Sequence, residues 1–290
     1  MMCSIYRQII LISLLVSINV ANASDLVRYV DSKNYPDPKQ SYFVDLLTLA
    51  LEASKEIYGD YQLQPVSIEM AQGRTSMMLE RNELIDLTWR MTSQDLEQKL
   101  QAIYFPILKG LMGHRIFIIN KEDQSKFTKN ISLDALKRIH LGQGHNWPDT
   151  AILLANGFRV TEGYDIYLLG MLKKGRFDYF PRALHEPWIE ILNEPKLAVE
   201  EHLMINYPAP VFFFVNKNNK QLQQRLEFGL RKLLDSGKFE QFFINHSITA
   251  GILTKAKVNS RTVFKLQNPL LSEQAKKLLE DRRLWIELNK

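Results

Sequence analysis

The stretch GRFDYFPRALHEPW, Gly175 to Trp188, sets Arg182, His185, Glu186 and Trp188 behind a hydrophobic run. A guanidinium can hold a carboxylate through two parallel hydrogen bonds, so Arg182 is a candidate grip for an acidic guest. The same group can instead pair with Glu186, four residues on. A second candidate is GQGHNW, Gly142 to Trp147. Gly142 and Gly144 let a ligand approach the backbone, and the helix opening at Pro148 offers free N–H groups that favour an anion. An ordinary strand-to-helix loop also contains glycine and needs no ligand. No Gly-Lys-Ser/Thr follows, which excludes a phosphate-binding P-loop. His145 and Asn146 read as hydrogen-bonding residues; His140, five positions before His145, is not at helical metal-ligand spacing, and no metal or cofactor is expected.

Trp89 and Trp147 can sandwich a flat or apolar group, although Trp89 ends a hydrophobic run and fits a core equally well. Thr88, Arg90 and Thr92 share one side of a strand if it continues through them. Tyr42 either walls a pocket or staples the helix that follows it. Arg74 opens a helix, where the dipole disfavours a cation, so a ligand anion or Glu69 would explain it. For acid–base work the available groups are His145, Asp149, Asp178, His185 and Glu186. There is no nucleophile elbow, zinc signature or paired-carboxylate signature among them.

These residues need elements to hold them. Leu26–Val30 is β-prone, and Leu46, Ala50, Ala53 and Ile57 form a helical stripe over Asp45 to Tyr58 that Gly59 stops. Leu63–Glu69 and Leu84–Trp89 read as strands, with a helix from Thr75 or Ser76 to about Arg81 between them. His114–Asn120 is a strand; Ser132 caps a helix; Pro148 opens another that ends at Asn156-Gly157. Phe158–Val160 is a strand, Asp165–Lys174 a helix, and Phe177–Phe180 a strand with Arg182 at its carboxyl end. Tyr207–Val215 is a proline-bounded strand before a helix carrying Leu222, Leu226, Leu230 and Leu233. The alternation predicts α/β architecture with parallel sheets flanked by helices.

At 290 residues the chain is long enough for two lobes, and 46% hydrophobic with 24% charged residues is ordinary for a globular protein. Residues 1–23 carry Arg7, an apolar run from Ile9 to Val20 and Ala21-Asn22-Ala23, the pattern of a cleaved secretory signal. The run is short for a membrane span. Removing it takes away the only cysteine and one Arg, lowering the formal charge of +5 by one. Stability is therefore expected to rest on the core, without disulfides. The positive excess is spread out, with no basic and aromatic cluster, which argues against nucleic-acid binding.

Taken in order, the segments Leu79-Glu-Arg-Asn-Glu-Leu-Ile-Asp86, Thr88 to Thr92, Tyr104-Phe-Pro106, the strand at His114, Gly175-Arg-Phe-Asp178 and Leu226-Glu-Phe-Gly-Leu230 through Asp235-Ser-Gly-Lys-Phe239 resemble the type II periplasmic solute-binding proteins of the amino-acid-binding family 3. The resemblance covers roughly residues 25–245. It implies a clamshell: a signal at 1–23, a first lobe from 24–110, a second from 111–210, and a first-lobe return with a C-terminal extension at 211–290. Crossings near Lys109–Gly113 and Tyr207–Pro210 would form the hinge. It implies a monomer that binds a small polar, anionic or amino-acid-like solute between the lobes for an ABC permease or a membrane sensor. A dehydratase-like enzyme on this fold and an orphan signalling protein are the alternatives. The family's Arg three residues after the first-lobe Thr is replaced here by Asp95, and its small Ser/Thr-Gly turn by Gly142–Trp147.

Overall fold

The computed structural model describes residues 24–31, 39–67 and 72–287; the expected signal at 1–23 and the Tyr35–Pro38 loop lie outside them. Strand β1 (Asp25–Asp31) runs parallel to β2 (Tyr61–Ser67) across helix α1 (Gln40–Tyr58). Helix α1 buries Phe43, Leu46, Leu47, Ala50 and Leu51 and ends at Gly59, whose φ of 81° a side chain would resist. Helix α2 (Gln72–Glu80) leads to β3 (Leu87–Met91), α3 (Gln94–Lys99) and β4 (Gln101–Ile103). Strand β3 begins later than its hydrophobic run suggests, because Asn82 and Leu84 take positive φ in the turn before it.

The part expected as the second lobe holds β5 (His114–Asn120), α4 (Leu133–Arg138), β6 (His140–Gly144), α5 (Pro148–Ala155), β7 (Arg159–Gly163), α6 (Asp165–Lys173) and β8 (Tyr179–Ala183). It continues with α7 (Pro187–Glu190), β9 (Leu197–Val199) and β10 (Leu203–Asn206). The chain returns through β11 (Val211–Val215), α8 (Lys220–Asp235), α9 (Lys238–Asn245) and α10 (Ile252–Lys255), then adds β12 (Thr262–Lys265) and α11 (Glu273–Lys277).

The sheets are mixed, not parallel throughout. Strand β11 lies antiparallel between β3 and β4, and β5 runs antiparallel to β8, β9 and β10, while β6 is parallel to β7 and β8. The reversals fall on the strands that follow a crossing: β5 runs against β6, β7 and β8, and β11 against β3 and β4, while β10 keeps the direction of β8. The Gly142–Gly144 segment, read as loop, is the end of β6, paired with β7 to the last residue.

The two segments expected to form the hinge, Lys109–Gly113 and Tyr207–Pro210, run side by side. Tyr207 donates its N–H to the Gly113 carbonyl at 3.1 Å, and a Cβ on Gly113 would sit 1.8 Å from the Tyr207 oxygen. The C-terminal extension then ties both lobes. Strand β12 pairs parallel with β10 in the second lobe. Asn268 donates to the Pro208 carbonyl at 2.7 Å in the hinge, and Leu271 and Ala275 bury against Leu79, Phe212 and Phe214 of the first lobe. Ile286 closes the path by donating to the carbonyl of hinge residue Lys109 at 2.9 Å.

Candidate functional site

Strands β6 and β8 are parallel and β5 runs against β8, so the carboxyl ends of the first two and the start of the third share one sheet edge. The start of α5 lies over that edge. Arg115, the second residue of β5, stands opposite Ala183 and is 1% exposed. A buried guanidinium must be paired. One arm donates to the Asp149 carboxylate, which also accepts from the Tyr207 hydroxyl. Another lies 3.7 Å from Glu186.

Glu186 ties this edge together. Its carboxylate accepts from the Ala183 N–H at 2.8 Å, sits 3.3 Å from Arg182, and reaches Lys39 at 3.7 Å. Lys39 immediately precedes α1, so this last pair joins one lobe to the other. Arg182 holds Glu190 through both Nε and Nη2, at 2.9 and 2.5 Å, while its guanidinium lies 4.9 Å from the rings of Trp147 and Phe180. Three cations, Lys39, Arg115 and Arg182, thus face three carboxylates, Asp149, Glu186 and Glu190.

Burial alone would raise the pKa of Glu186, but Arg182, Lys39, His185 and Arg115 outweigh it and hold the carboxyl well below its usual range. His185 is pushed down to about 3, first by burial and then by the cations Lys39, Arg115 and Arg182, against the opposing pull of Glu186. It is therefore a neutral imidazole at physiological pH. Not every polar atom here is satisfied. Among the described residues the Arg115 Nε, the Gln143 Nε2 and both His185 ring nitrogens are buried without a hydrogen-bond partner. Such atoms are rare in folded proteins, and each calls for a partner such as water, an ion or a ligand.

The candidates of the Gly142–Trp147 turn diverge. Trp147 folds back over Gly144, where a Cβ would stand 2.1 Å from the indole, and stacks near Phe180. Gly144, Trp147 and Arg182 are thereby brought together. His145 and Asn146 point outward; His145 is exposed and meets Glu162 at 2.9 Å, and Asn146 takes a φ of 62° in the tight turn. Of the acid–base candidates, Asp149, His185 and Glu186 gather at the sheet edge, while Asp178 pairs with Lys126 at 2.8 Å and with the His140 N–H.

On the first lobe, Thr88 and Arg90 stand opposite Phe214 and Phe212, on the β3 face turned toward α2. Arg90 reaches the Ser76 hydroxyl at 3.2 Å, and Thr92, fully buried, donates to Glu97 at 2.6 Å. Trp89 takes the opposite face and stacks on Phe43 at 5.1 Å. Tyr42 is core: it is fully buried, donates to the Ile107 carbonyl at 2.8 Å and packs on Phe242 and His246. Arg74 is exposed near the start of α2. A separate open groove of about 840 Å³ lies between the first lobe and the C-terminal extension, lined by Phe105, Phe228, Arg231 and Gln274.

Sequence reasoning passed over Lys39, Arg115, Gln143 and Glu190. Arg115 had a signal: an arginine leading the run Ile116-Phe-Ile-Ile119 enters a buried strand and requires a carboxylate. Lys39 had none, because its partner is remote in sequence. Among the described residues no cluster of His, Cys, Asp or Glu could hold a metal ion, and no helix is long and apolar enough to cross a membrane.

No protein-family model matches the chain, and no curated protein matches it in sequence. Solved structures do. A Salmonella typhimurium periplasmic binding protein described for high arginine specificity aligns at TM-score 0.54 and 14% identity, over 76% of this chain and 97% of its own. The Bacillus subtilis protein ytmK, a probable amino-acid ABC transporter extracellular-binding protein, gives 0.55 and 15% over 77% and 97%. The VFT2 domain of Bordetella pertussis BvgS gives 0.56 and 13% over 75% and 91%. At these identities the likeness establishes the fold, a two-lobed α/β clamshell of the periplasmic binding-protein kind.

Proposed function

We propose that this protein reversibly binds a small polar, amino-acid-like solute between its lobes outside the cytoplasmic membrane, for an ABC permease or a membrane sensor. The observation that carries the reading is the Lys39–Glu186 pair, which brings the start of α1 in one lobe onto a charged strand edge in the other. In open α/β sheets ligands bind at such strand ends, and a guest that contacts both lobes favours the closed arrangement. The unsatisfied donors on Arg115 and Gln143 supply polar contacts there. The structural neighbours add weight, since two of them are described as periplasmic or extracellular binding proteins.

The catalytic alternative needs a group that exchanges protons near neutral pH. At this edge burial and the surrounding cations hold the pKa of His185, and those cations the pKa of Glu186, well below neutral pH, which favours binding without chemistry. The test is titration calorimetry of the purified protein with amino acids, small peptides and organic acids, alongside small-angle scattering. Saturable heat with a smaller radius of gyration on ligand addition is expected; a panel giving neither heat nor compaction removes the reading.

A further inference from the structure

We infer that Gln267 to Leu270 form a short tether between the lobes, beside the two expected hinge crossings, and that this tether restricts how far the lobes turn apart. It goes beyond the solute-binding reading and stands without it. After α9 the chain passes to the second lobe, where β12 pairs with β10, and then returns. The last holds on that lobe are close together. Leu266 donates its N–H to the Asn206 carbonyl at 2.8 Å, and the Asn156 amide exchanges hydrogen bonds with the Gln267 backbone at 2.8 and 3.2 Å. The first holds on the other lobe follow at once. Gln94, at the start of α3, donates its N–H to the Leu270 carbonyl at 2.9 Å and its side-chain amide to the Leu271 carbonyl at 3.0 Å. Leu271 then buries beside Leu79, Phe212 and Phe214.

Only Asn268 and Pro269 separate the two sets of anchors. Fully extended, the chain from Gln267 to Leu270 reaches about 11 Å. Pro269 fixes its own φ, which removes slack. Asn268 removes more: it is 6% exposed, donates to the Pro208 carbonyl at 2.7 Å and accepts the Leu270 N–H at 2.9 Å. The tether is thus tied sideways to the crossing at Tyr207–Pro210. Farther on, the same extension holds the other crossing. The Trp285 ring lies against Gly110, where a Cβ would stand 2.5 Å from it, and Ile286 donates to the Lys109 carbonyl at 2.9 Å. A hinge works through a few residues whose φ and ψ change. Here a third connection, anchored at both ends, opposes that change and caps the opening.

The test is the distance between spin labels on the two lobes of the ligand-free full chain. The labels sit at Ile57→Cys and Ile166→Cys, whose native side chains are 65% and 75% exposed, in a Cys3→Ser background. A pair within the first lobe, Ile57→Cys with Ile244→Cys, reports on folding. Inserting Gly-Ser-Gly between Asn268 and Pro269 leaves the anchoring residues in place and adds about 10 Å of reach. The interlobe distribution should broaden or shift to longer distances by several ångströms, while the pair within the lobe stays as in wild type. Asn268→Ala, which removes only the bonds to Pro208 and Leu270, should broaden it less, and it decides the matter where the insertion disturbs folding. Folded variants whose interlobe distances match wild type would overturn the tether. No solute enters the experiment, so either result leaves the solute-binding reading as it was.

Discussion

His185 illustrates what burial does to one residue here. Its ring is neutral because burial and surrounding cations push its pKa to about 3, below the ordinary value of 6.5. The unfolded chain therefore takes up a proton as pH falls through 6.5, before the folded protein does. The stability that this histidine contributes is present above 6.5 and is lost as pH drops toward 3. Glu186, held below its usual range, acts in the same direction below about 4.5. Denaturant midpoints should thus fall from pH 7 to pH 4, and His185→Gln should flatten that slope; an unchanged slope would show that other groups carry it. Arg115 shows the complementary case. Its burial is tolerated because Asp149, Tyr207 and Glu186 surround it, and removing Asp149 would strand the cation. Asp149→Ala should cost about 3–5 kcal/mol in chemical denaturation.

Among the elements, the α1–α8 contact carries the first lobe. Leu222, Leu226, Leu230 and Leu233 of α8 share a core with Leu46, Leu47, Ala50 and Leu51 of α1, and Gly229 lets the two backbones touch. A Cβ there would stand 2.0 Å from the Ala50 carbonyl oxygen. Gly229→Ala gains helix propensity in an isolated helix but should destabilise the protein by about 1–3 kcal/mol, read as a lower melting temperature. The helical stripes were legible because their spacing is local. The short strands β4, β9, β10 and β12 were not, since three or four residues carry little period and their pairing comes from distant segments. The Gly142–Gly144 stretch was misjudged for a related reason: glycine disfavours a strand locally, while β7 and β8 on either side enforce one.

Across the whole molecule more than the two expected hinge crossings joins the lobes. The extension pairs with β10, passes the hinge at Asn268, and buries Leu271 and Ala275 in the opposite lobe. It finishes with Trp285 beside Gly110, and with Lys109 donating to the Arg283 carbonyl at 2.6 Å and to Glu240 at 2.5 Å. Such a strap bridges the two groups of strands and covers apolar surface on both. Truncation after Ser260 should lower the melting temperature and enlarge the radius of gyration of the ligand-free protein in solution scattering. An unchanged scattering curve would show that the hinge alone sets the opening.

Residue order determined the α/β alternation, the helix stops at Gly59, Gly157 and Gly175, and the candidacy of Arg182 and the Gly144 turn, because caps and periodicity act over a few residues. Tertiary structure alone decided which charges meet. Lys39 and Glu186 lie 147 positions apart along the chain and touch only because two lobes bring an α1 start onto a β8 end. No local pattern encodes that contact, since the energy of a buried ion pair depends on neighbours supplied by the entire fold.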